Sequence, residues 1–162
     1  MATDFPTDLD SFGNPTATDK TNNPDHATQH ANVNDAVEAI ETKLGKDSST
    51  VEASHDYKLT PRIITLTDGA TVTIDLAKRG IHQVTLGGNR TLAVSNETVG
   101  QVFILSLLQD GTGSRTVTWF STVAWSGGSA PTLTTTINKR DVFAFIVLSA
   151  GNYAGFVVGQ NV

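Results

Sequence analysis

The chain has 162 residues, room for one ordinary domain and an appendage, and its 38% hydrophobic residues are concentrated after residue 60. It has no cysteine and no apolar run of about eighteen residues, which excludes disulfides, thiol nucleophiles, thiolate metal sites and a membrane-spanning helix. The net charge of −5 is uneven: residues 1–45 carry −6 and residues 46–162 carry +1, so an acidic segment precedes a nearly neutral body, and no basic stripe exists to replace phosphate counterions on a nucleic acid.

Residues 1–31 are expected to form an extended acidic attachment arm. Its first residues, Met-Ala-Thr-Asp-Phe-Pro, offer neither a basic start nor an apolar stretch, so a secretory leader is not expected. Pro6, Pro15 and Pro24, three of the five prolines, fall within residues 1–25 among Asp, Thr and Asn, which disfavours regular structure. Phe5, Leu9 and Phe12 are isolated large apolar side chains in this polar stretch and suit anchoring in pockets of another protein. His26 and His30 stand four apart. On a helix in a symmetric trimer they suit a ring of imidazoles around an anion or metal ion; as polar residues of a seam, or of a non-helical lead-in, they need no ligand.

Residues 32–45 read as a short amphipathic helix. Val33, Val37, Ile40 and Leu44 recur at spacings of four, three and four, the rhythm of a coiled-coil seam or of one packed helix face. Gly45 follows where a left-handed cap commonly ends a helix. A helix of about three turns is marginal alone, so it must dock on its own domain or on copies of itself. Leu at a with Ile at d favours more than two strands, so a homotrimer is expected.

Residues 46–61 form a polar linker without periodicity, and residues 62–162 alternate short β-like runs with turn signals. Ile63 to Leu66 and Thr71 to Leu76 flank Asp68-Gly69, and Gln83 to Leu86 and Thr91 to Val94 flank Gly87-Gly88-Asn89, both of which read as hairpins. Val102 to Leu108, Thr116 to Phe120 and Leu133 to Ile137 follow. Val142 to Leu148 and Tyr153 to Val158 close the chain as a hairpin through Ala150-Gly151-Asn152. With no crossover helices to join parallel strands, the expected fold is mainly β: an antiparallel β-sandwich, jelly-roll-like, preceded by the arm and one short α-helix.

No motif points to catalysis, a cofactor or a metal site. The glycine-rich pieces at Gly87-Gly88 and Gly111-Thr-Gly113 lead into strands, whereas a phosphate cradle needs a helix N-terminus. His82 is the only histidine of the β-region, and Asp68, Asp75, Glu97, Asp110 and Asp141 are scattered among turns and strand edges. Asn89-Arg-Thr91 and Asn96-Glu-Thr98 match the glycosylation acceptor pattern, which carries no weight without a secretory route. Trp119, Trp125 and Tyr153 suit a platform for a sugar ring, although aromatic residues of a small sandwich more often serve as core or subunit contacts.

Three N-terminal segments, Asn14-Pro-Thr-Ala-Thr-Asp-Lys20, Pro24-Asp-His-Ala-Thr-Gln-His30 and Asn34 to Gly45, resemble those of tailed-bacteriophage fibre and appendage proteins. Gly113 to Trp119, Trp125 to Gly128, Pro131-Thr-Leu133 and Lys139 to Val142 are similar to virion-surface β-modules. The resemblance implies a non-enzymatic virion structural protein, made in the host cytoplasm and carried on the virion surface. Its partners would be its own copies and a capsid or other virion protein; a host surface glycan or receptor is the alternative, with neither nucleic acid nor membrane insertion. The sequence shows no β-helix repeat, collagen-like stretch or extended coiled coil to serve as a long shaft, so a head fibre or decoration protein fits better than a long tail fibre.

Overall fold

The computed structural model describes residues 26–45, 50, 54–60 and 62–162, and the side chains at 26–29 and 56 are outside that description. Two compact units divide the chain, Met1–Thr60 and Pro61–Val162. The protein is mainly β: among the described residues the first unit contains two helices and the second nine strands.

Helix α1 (His26–Leu44) starts earlier than the expected 32–45. His26 to Asn32 contains alanines and neither Gly nor Pro, so nothing in that stretch stops the helix from propagating backwards. Its C-terminus ends as expected. Gly45 adopts φ 80°, its N–H donates to the Glu41 carbonyl at 2.7 Å, and Lys43 lies in the last turn, where a cation suits the helix dipole. A second helix, α2 (His55–Leu59), lies in the stretch expected to be a linker. The Ser54 hydroxyl accepts the Tyr57 N–H at 3.2 Å, a serine cap placed directly before the helix.

In the second unit the strands are β1 (Ile63–Thr65), β2 (Thr71–Asp75), β3 (Ile81–Leu86), β4 (Arg90–Ser95), β5 (Val102–Gln109), β6 (Val117–Thr118), β7 (Val123–Trp125), β8 (Arg140–Ser149) and β9 (Asn152–Gly159). They form a six-stranded sheet ordered β1-β3-β5-β8-β9-β7 and a three-stranded sheet ordered β2-β4-β6. The first six strands alternate between the sheets, and every pair among them is parallel. The chain therefore winds in successive turns around one core. Only β5–β8 and β8–β9 are antiparallel, and β7 joins β9 in parallel.

This winding overturns the antiparallel jelly-roll-like sandwich. Parallel strands need a crossover, but a strand in the facing sheet supplies one as well as a helix does. Asp68-Gly69 and Gly87-Gly88-Asn89 are accordingly corners between sheets rather than hairpins. The closing hairpin holds: β8 and β9 pair antiparallel, with Ser149 opposite Asn152 and Gly151 at φ 69° in the turn. Leu133 to Ile137 is irregular, although Leu133 is buried.

Inward side chains of both sheets form one core, with Val72, Ile74 and Leu92 from the small sheet and Val84, Leu105, Phe143 and Phe145 from the large one. Its centre is aromatic. Phe103 stacks on Phe145 with centroids 5.0 Å apart, and Phe120 meets Tyr153 edge-on at 4.8 Å. Burying such side chains contributes about 1.5–3 kcal/mol each.

Candidate functional site

The expected seam residues Val33, Val37, Ile40 and Leu44 share one side of α1 and remain 45–53% exposed. Among the described residues nothing covers them, so the single chain has a seam but no coiled coil. His30 lies on α1 one turn after His26, whose side chain is outside the description. Among the described residues no three His, Asp or Glu side chains cluster to hold a metal ion. Phe5, Leu9 and Phe12 lie outside the described residues.

A second unpartnered apolar surface was missed in the sequence. On the outer face of the large sheet, Ile63, Ile81, Ile104, Ala144 and Phe156 stand in one row across five strands. Beside them run Val102, Ile146, Ala154 and Ala124. The signal was present as continuous apolar character in β5 and β8. Without the pairing, outward residues of a strand look like core.

The aromatic trio does not form an open platform. Tyr153 is only 3% exposed, and its hydroxyl donates to the Glu97 carboxylate, which removes it from any ligand-facing role. Trp119 and Trp125 are half-buried and meet edge-on at 4.8 Å, each also packing against Phe143 and Phe145. Trp125 nevertheless borders a surface groove of about 410 Å³ with Ser126, Ser129, Pro131 and Phe156.

Each acidic residue singled out in the β-region ties backbone or basic side chains together. Asp68 receives two bonds from Arg90, at 2.8 and 2.6 Å, and Asp110 receives Arg115 together with the Thr112 and Gly113 N–H groups. The Arg90 hydrogen bonds hold Asp68 below the usual carboxylate range, and those of Arg115 bring Asp110 down to about 2. The Asn96 side-chain amide donates to Asp75 at 2.7 Å and is the main cause of its lowered pKa. Glu97 also accepts the Gly151 N–H, and buried Asp141 accepts from the Thr134 N–H and hydroxyl and from the Asn161 N–H. The Asn89 side-chain carbonyl accepts the Thr116 N–H at 3.0 Å, so both acceptor-pattern asparagines brace corners.

His82 is buried, and one ring nitrogen, Nε2, lies 3.2 Å from the Asp75 carbonyl, so this nitrogen carries the proton. Nδ1 has no hydrogen-bond partner, and burial pushes the imidazole below its ordinary pKa. Among the described residues, no helix is long and apolar enough to cross a membrane. No family model, curated protein or solved structure matches this chain.

Proposed function

We propose that the chain is a non-enzymatic structural protein of a tailed-phage virion: a short homotrimeric fibre or decoration protein. Its N-terminal arm docks on the capsid through Phe5, Leu9 and Phe12, and its β-unit is displayed outward at the virion surface. The observation that carries this reading is the uncovered seam of Val33, Val37, Ile40 and Leu44. A helix of that length with one apolar stripe gains stability only when the stripe is covered, and three copies cover it symmetrically. The resemblance of Asn14 to Gly45 to appendage proteins supports the same conclusion. Attachment then works through interface area and multivalency, with no covalent chemistry required. Deleting residues 1–25 is expected to abolish binding to intact particles while the β-unit keeps its circular dichroism spectrum. Undiminished binding by the truncated protein would remove the anchoring arm from the account.

The groove beside Trp125 favours a second reading, a module that binds a host surface glycan. Its indole edge, the Ser126 and Ser129 side chains and Phe156 combine apolar and polar lining. That reading predicts saturable glycan binding lost in Trp125→Ala protein that remains folded. A blank glycan array and absent cell binding would dispose of it.

A further inference from the structure

We infer that the outer face of the six-stranded sheet is where the β-units of neighbouring copies meet, turned towards the common axis of the assembly. This inference rests on the trimeric reading and names a second surface for it.

The face is built by register. The row from Ile63 through Ile81, Ile104 and Ala144 to Phe156 is flanked on one side by Val102, Ile146, Ala154 and Ala124. On the other side run Thr65, Gln83, Ser106, Val142 and Gly159. None of the three rows contains a charged side chain. Ile63, Ile81, Val102 and Phe156 remain 41–63% exposed, although β-branched and aromatic side chains at these positions would gain by burial. By contrast, the small sheet shows solvent Thr71, Thr73 and Thr91 on its outer side. One outer face is therefore polar and the other apolar.

The occupant that fits is another copy of this chain. Charge enters this face only beside the three rows, at Arg62 and Arg140, so a partner recognised by charge finds little to pair with, whereas the apolar rows suit a second copy of the chain. Between Ile63, Ile81, Val102 and Ile104 lies an apolar depression of about 480 Å³, able to receive a protruding side chain of the next copy. Such a knob-and-hollow contact is heterologous, the kind that closes into a ring.

Area points the same way. Five strands about 4.8 Å apart and about seven residues long at ~3.3 Å each give on the order of 500 Å² of face per copy. A standard interface takes about 800 Å² from each partner, so the face alone falls short. The seam of α1, about 17 Å long from Val33 to Leu44, adds apolar surface to it. Once the seams bundle, residues 46–61 tether the β-units at high effective concentration, so a face of moderate affinity is occupied.

Because the chain has no cysteine, a single introduced thiol reports on one position. Ile81→Cys and, on the polar face of the other sheet, Thr73→Cys are spin-labelled in the full-length protein, with mass by light scattering and fold by circular dichroism. The inference predicts that labels at 81 are immobilised and coupled to one another across roughly the ~10 Å spacing of face-packed sheets, while labels at 73 stay mobile and uncoupled. It also predicts that Ile81→Arg raises the concentration at which the assembly dissociates by tenfold or more. Val102→Cys and Val102→Arg repeat both arms if the position-81 variants misfold. An assembled protein whose labels at 81 and 102 stay mobile and uncoupled overturns the inference and leaves the trimeric reading standing. A single-chain mass for the unmodified protein overturns both.

Discussion

At the residue scale, Gly155 shows how one side chain makes room for another. A Cβ there would stand 2.7 Å from Val123 Cγ1 and 2.8 Å from the Trp125 ring, so only glycine lets the indole lie against β9. Gly155→Ala is expected to destabilise the β-unit by about 1–3 kcal/mol in urea unfolding and to change tryptophan fluorescence. An unchanged midpoint would mean that Trp125 does not pack there. His82 supplies a pH dependence. Its folded pKa lies below the ordinary 6.5, so the unfolded chain takes up the proton first. Stability is complete above about pH 6.5 and declines as pH falls through the depressed value. His82→Gln, which keeps a donor near the Asp75 carbonyl, should flatten the unfolding midpoint between pH 7 and pH 5; an unaltered slope would assign the acid sensitivity elsewhere. The apolar seam of α1 was legible residue by residue, whereas the outer face of the large sheet was not, because it exists only through the strand register. Nor was the burial of Tyr153, because its partner Glu97 is 56 residues away in the chain.

At the element scale, local signals proved reliable where local physics decides. Gly45 ends α1 in a left-handed conformation, and Ala150-Gly151-Asn152 turns β8 into β9, each from backbone requirements contained in a few residues. Pairing direction was not local. Asp68-Gly69 has the chemistry of a tight hairpin, yet the strands it joins belong to different sheets because both contribute to one core. The seam of α1 makes its own prediction. Val37→Asp with Ile40→Asp should reduce the assembly to single chains in light scattering, since charges on the seam must face water. The β-unit should keep its unfolding midpoint, because its core is built from Pro61–Val162 residues alone. Retention of full mass by this variant would show that the helices do not hold the copies together.

For the whole molecule, a mainly β chain with a helix ahead of the strands was legible in the sequence, but the winding of the strands was concealed. From Ile63 to Ile81 the chain takes 18 residues to return beside itself, and from Ile81 to Ile104 it takes 23. Turns of unequal length with different corners leave no sequence period, so a wound fold can arise without a visible repeat. The winding also explains the contrast between the two outer faces: one is threonine-rich and suited to solvent, the other apolar and uncovered. A chain with an apolar helical stripe and an apolar sheet face hides both most simply by assembling with itself. Light scattering coupled to size exclusion on the intact protein tests this most directly. The account predicts three times the 17.1 kDa chain mass, sustained on dilution to low micromolar concentration. A mass of one chain at every concentration would contradict it.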